Sequence, residues 1–80
     1  MNIIYSKQSA KAIARMNAQT KQRIKTAIEE LPNGDTKRLE GGGIATHRLR
    51  VGGLRILYSF DDESIFVEKI APRGQVYKGV

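Results

Sequence analysis

Thr46-His47-Arg48-Leu49-Arg50-Val51-Gly52-Gly53-Leu54-Arg55-Ile56-Leu57-Tyr58 decides the fold, because two β-prone runs meet there at a glycine pair. Strand side chains alternate between faces, so Thr46, Arg48 and Arg50 share one face of the first run. His47, Leu49 and Val51 share the other. Glycine accepts the positive φ that a two-residue hairpin turn requires, which places the reversal at Gly52 and Gly53. On the returning run Leu54, Ile56, Tyr58 and Phe60 form an apolar row, with Arg55, Leu57 and Ser59 opposite. The apolar row predicts the core side, Tyr58 and Phe60 included. Arginine is costly to desolvate, and its repetition on a sheet face predicts a surface that anions meet.

Outward toward the C-terminus, Asp61-Asp62 predicts a second turn and Ile65-Phe66-Val67 a strand covered on both sides. Ala71-Pro72-Arg73-Gly74 breaks the ladder, leaving Gln75 to Lys78 as a last short strand or arm. Toward the N-terminus, Lys37 to Gly43 reads as a loop anchored by Leu39. Its three glycines are not followed by Gly-Lys-Ser/Thr, nor set between a strand and a helix, so a nucleotide-phosphate loop is excluded. Pro32-Asn33-Gly34-Asp35 stops a helix that Asn17 caps and that runs through Glu30. Ile24, Ala27, Ile28 and Leu31 give that helix a core-facing stripe. Its charges run against the helix dipole, with Lys21, Arg23 and Lys25 ahead of Glu29 and Glu30. Ser6 caps an earlier helix through Met16, whose apolar stripe is Ala10, Ile13 and Ala14; Lys7, Lys11 and Arg15 form a solvated row. Ile3-Ile4-Tyr5 is a short strand before it. The order β-α-α-β-β-β predicts an α+β fold, a helical hairpin packed on an antiparallel sheet.

The 80 residues predict one domain, 1–80, with a modest core. No cysteine is available for a disulfide or a thiolate metal site. Neither a secretory signal nor a membrane-spanning apolar run is legible, so a cytoplasmic protein is expected. Fourteen Lys and Arg against eight acids give a net charge of +6, which predicts polyanionic or acidic partners. His47, the one histidine, falls on the strand face away from Arg48 and Arg50 and reads as structural. Without a carboxylate cluster it gives no basis for a metal site. Arg50 is open to two readings, a phosphate contact or a cross-sheet partner of Glu68.

These residues resemble the RelE/ParE superfamily, the toxins of bacterial toxin–antitoxin pairs. The resemblance spans nearly the whole chain. It starts with a strand and a Ser-Lys-x-x-x-Lys type helix, continues through Lys37-Arg38-Leu39-Glu40-Gly41, and ends in Ile70-Ala71-Pro72-Arg73-Gly74-Gln75-Val76-Tyr77. Its strongest part is the Arg-x-Arg-Val-Gly-x-x-Arg-x-x-Tyr pattern from Arg48 to Tyr58. RelE-type members cut messenger RNA in the ribosomal decoding site, whereas ParE-type members poison DNA gyrase, so the fold alone leaves both open. The resemblance favours the RelE-like branch, an mRNA endoribonuclease that inhibits translation using the RNA 2′-hydroxyl, without metal or cofactor. It implies Arg48, Arg55, Arg73 and Tyr77 as catalytic residues and Arg50, Lys78 and Thr46 as RNA contacts. It also implies a cognate acidic antitoxin, the ribosome and its mRNA as partners, and operator DNA only through the antitoxin complex.

Two positions depart from the pattern. Thr46 stands where some members carry a catalytic lysine, and Ala71 where a basic residue precedes the tyrosine by six. Both departures favour the ParE-like alternative, a gyrase inhibitor or binding module without chemistry. Cleavage needs a base, an acid and positive charge on the pentacoordinate phosphate. Arg55 and Arg73 suit the last role, while a guanidinium is a poor proton shuttle. The Tyr77 phenol, ordinarily near pH 10, would be drawn down by an arginine cluster and serve as base, or else stack on a nucleobase.

Overall fold

The computed structural model describes residues 2–40 and 43–72. Its elements are β1 (Asn2–Tyr5), α1 (Lys7–Ala14), α2 (Ala18–Glu29), β2 (Thr36–Arg38), β3 (His47–Val51), β4 (Leu54–Phe60) and β5 (Ser64–Pro72). The strands form one five-stranded sheet in the order β1-β5-β4-β3-β2. The α+β architecture is the expected one, with two differences. The sheet is mixed, because β1 runs parallel to β5 while the other pairings are antiparallel. An extra strand, β2, occupies part of the segment expected to be a loop, and it pairs Thr36, Lys37 and Arg38 with Leu49, Arg48 and His47.

Both helix caps form as their sequences dictate: Ser6 and Asn17 accept from the amides of Ser9 and Thr20. In α2 Ile24 and Ile28 are buried and Ala27 and Leu31 half-buried, which is the expected stripe. In α1 the stripe is rotated. Ser9 is fully buried with Ala12, Ile13 and Met16 beside the core, while Ala10 and Ala14 are exposed. A hydroxyl tolerates this burial only if bonded, and Ser9 Oγ donates to the Val67 carbonyl at 3.1 Å.

Residue spacing on β5 explains how α1 docks. Val67 and Ile70, three apart, would lie on opposite faces of a regular strand. A bulge opposite Leu57/Tyr58 inserts one residue into β5, so Val67 pairs with Tyr58 while Ile70 pairs with Ile56. Both therefore enter the core with Ile24, Ile28, Leu49, Ile56, Tyr58 and Ile65. β1 ends at Tyr5, opposite Val67. Beyond it Ser6 Oγ donates to the Glu68 carbonyl at 2.7 Å, and the Gln8 amide exchanges bonds of 3.2 and 3.1 Å with the Ile70 C=O and N–H. The side chains of Ser6, which caps α1, and Gln8, in its first turn, thus continue the ladder where β1 stops.

The β3–β4 hairpin turns at Gly52, whose φ is 57°. Phe60 departs from the expected core placement and is 54% exposed, while Tyr58 is buried. His47 stacks on Tyr58 and leans on Phe60, with ring centroids 5.5 and 5.2 Å apart. It lies on the helix side of the sheet, as alternation requires.

Candidate nucleic-acid interface

On the sheet face away from the helices, strand register gathers cations. Arg50 is the direct partner of Arg55 across β3–β4, and Arg48 is the direct partner of Lys37 across β2–β3. Like charges directly opposite one another are unfavourable. They are placed here in one open cleft of about 500 Å³ lined by Lys37, Arg38, Leu39, Glu40, Arg48, Arg50 and Arg55. Ala71 is the partner of Arg55 on β5, so the residue directly across from Arg55 on that strand carries only a methyl group.

Two of these arginines are set into the sheet rather than splayed over it. Arg48 is 8% exposed and Arg55 7%. Arg55 Nη1 donates to the Leu54 carbonyl at 3.3 Å, while Arg48 Nη1 is buried with no hydrogen-bond partner among the described residues. Among the described residues the carboxylate oxygen within ion-pair distance of it is Asp35 Oδ1, 3.9 Å away. Asp35 Oδ2 lies 3.1 Å from Arg50 Nε, in a half-exposed pair. Arg50 is therefore partnered by Asp35, rather than by Glu68 on β5. One carboxylate spans two guanidinium groups, and among the described residues it is the only acid within ion-pair distance of the cluster. A buried charged group with an unmet donor is costly, and an anion supplying several oxygens would meet that donor.

Of the residues expected in the site, Arg48, Arg50 and Arg55 are brought together. Thr46 precedes β3, and its hydroxyl lies 2.8 Å from His47 Nδ1; it does not line the cleft. Arg73, Tyr77 and Lys78 lie outside the described residues. Lys37 and Glu40 line the cleft without having been singled out in the sequence. The signal that would find Lys37 is the register of β2 on β3, which puts it opposite Arg48.

On the helix side, burial raises the Tyr58 phenol above its ordinary 10.0, against a lowering from a Thr36 hydrogen bond. The Tyr5 phenol is raised by burial and by the nearby Glu29 carboxylate. Neither tyrosine belongs to the cleft. Among the described residues no helix is long and apolar enough to cross a membrane.

A helical pair on one face of a mixed sheet, and an arginine-lined cleft on the other, define a small α+β protein with a cationic face. Its fold is RelE-like over nine-tenths of its length. It superposes on a chain of the RelB–RelE antitoxin–toxin complex from Methanococcus jannaschii with a TM-score of 0.72 and 23% identity, covering 92% of this chain and 94% of that one. It also superposes on a chain of the archaeal RelE–RelB complex from Pyrococcus horikoshii with a TM-score of 0.70 and 28% identity, covering 92% and 96%. No family profile matches the sequence, and no curated protein matches it either.

Proposed function

We propose that this chain is the toxin of a type II toxin–antitoxin pair and acts as a ribosome-dependent mRNA endoribonuclease that inhibits translation in the cytoplasm. The observation that carries this reading is the convergence of Arg48, Arg50 and Arg55 in one cleft, with an unmet donor on buried Arg48. Attack of an RNA 2′-hydroxyl on the adjacent phosphorus builds negative charge on the phosphoryl oxygens. Fixed guanidinium groups stabilise that charge more in the transition state than in the ground state. The ribosome supplies the message in a held geometry, which lowers the entropic part of the barrier.

Arg73 adds a further phosphate contact in this reading, Tyr77 stacks on the base beside the cut, and Thr46 and Lys78 touch the flanking RNA. The solved neighbours are complexes with RelB. By extension, an acidic antitoxin covers the cleft of this chain and brings the pair to operator DNA.

Inducing the chain in growing cells and mapping message 5′ ends by primer extension tests the reading. New ends within translated regions, lost in Arg55→Ala, support it. Intact messages together with inhibition of DNA supercoiling by purified gyrase would replace it with the ParE-like alternative.

A further inference from the structure

Phosphodiester cleavage by a 2′-hydroxyl requires one group to take a proton and another to give one. Arginine keeps its proton under all ordinary conditions, so Arg48, Arg50 and Arg55 stabilise charge without exchanging protons. Among the described residues lining the cleft, two side chains can exchange them, Lys37 and Glu40. Lys37 is opposite Arg48 in the β2–β3 ladder, and alternation puts it on the arginine face. The Leu39 amide donates to the Thr46 carbonyl at 2.9 Å, which keeps the chain beside β3 for one residue past the end of β2. Glu40 follows where the chain leaves the ladder, and it borders the same cleft. Both side chains are exposed, and among the described residues neither is held by an ion pair or hydrogen bond.

Resting on the nuclease reading, we infer that Glu40 is the general base and Lys37 the general acid of the cleavage step. At neutral pH a carboxylate is ordinarily ionised and an amine protonated, which fixes the direction of each transfer. Glu40 takes the proton of the 2′-hydroxyl, and the 2′-oxygen forms a bond to phosphorus. The bond from phosphorus to the 5′-oxygen breaks, and that oxygen leaves with a proton from Lys37 Nζ. The products are a 2′,3′-cyclic phosphate and a 5′-hydroxyl. No net proton is consumed, and solvent restores both side chains.

Single-turnover cleavage of a defined message on programmed ribosomes, followed across pH, tests the assignment. The wild-type profile is expected to be bell-shaped. Glu40→Gln lowers the rate about 10²–10⁴-fold and removes the acidic limb. Lys37→Met lowers it by a similar factor and removes the alkaline limb. A message with sulfur replacing the bridging 5′-oxygen at the cut needs no protonated leaving group, so it restores Lys37→Met and leaves Glu40→Gln slow. Circular dichroism confirms folding of each variant, both positions being on the surface. Wild-type rates and profiles in the two variants overturn the inference, as do slower rates with an unchanged profile and no rescue by sulfur. If the wild-type chain leaves the message whole, the nuclease reading fails and the inference falls with it.

Discussion

Replacing Asp35 by Asn should move stability and RNA affinity in opposite directions. Asp35 Oδ2 is 3.1 Å from Arg50 Nε and its Oδ1 is 3.9 Å from Arg48 Nη1, and the side chains of Asp35 and Arg50 are about half exposed. An ion pair so exposed contributes only about 0.2–1 kcal/mol. Asparagine keeps the shape, and the backbone carbonyl at this position still accepts from the Arg50 amide at 2.9 Å. The melting temperature should therefore fall by no more than about 4–8 °C, the shift for roughly 1 kcal/mol in a domain of this size. Arg48 and Arg50 meanwhile lose the one acid within ion-pair distance among the described residues. Each guanidinium freed to neutralise a phosphate steepens the dependence of log affinity on log salt by about 0.7 for a single strand. Two such groups face Asp35, so the slope should steepen by about 0.7–1.4. Fluorescence anisotropy of a short single-stranded RNA across a salt series measures the slope, and thermal melts measure the stability. An unchanged or shallower slope would refute the view that Asp35 holds the place of a phosphate. A fall in melting temperature beyond about 15 °C would mark Asp35 as a structural keystone instead.

Ile28 is fully buried in the core, so Ile28→Ala should cost about 2–5 kcal/mol, read from the shift in urea midpoint. Gln8→Ala removes both bonds to the Ile70 backbone and should cost about 1–3 kcal/mol, with faster hydrogen exchange at the Ile70 amide. Protection at Ile70 equal to wild type would contradict the role given to that side chain. The Tyr58 phenol, raised above 10.0 mainly by burial, holds its proton more tightly in the folded chain than in the unfolded one. Its contribution is complete below pH 10 and is lost as pH rises through the higher folded value. Urea midpoints measured on both sides of pH 10 should decline in the wild type and decline less in Tyr58→Phe, Tyr5 supplying the remainder. Equal declines would refute this.

The parts of the fold legible in the sequence are those fixed by local chemistry. Ser6 and Asn17 cap helices because their oxygens reach the amides three residues on, and Gly52 turns the hairpin because it adopts a positive φ. The placement of Arg48, Arg50 and Arg55 on one face follows from alternation alone. What escaped depends on distant partners. Ser9 is polar by type, and only the Val67 carbonyl makes its burial tolerable. Thr36-Lys37-Arg38 has no apolar alternation, and it becomes a strand because β3 offers an edge. That pairing in turn brings Lys37 into the cleft, so the missing strand and the missed site residue share one cause. Phe60 shares the register of the core row but lies at the end of β4, where it is 54% exposed.

In the proposed reaction, guanidinium groups of β3 and β4 hold a phosphate at the point of cleavage. Purified wild-type chain, Arg48→Ala and Arg55→Ala, each checked for folding, should be compared for single-turnover cutting of one message on programmed ribosomes. The wild type should cut the message, with rates about 10²–10³-fold lower when either guanidinium is removed. Cutting at undiminished rates by both variants would contradict that role for the guanidinium groups.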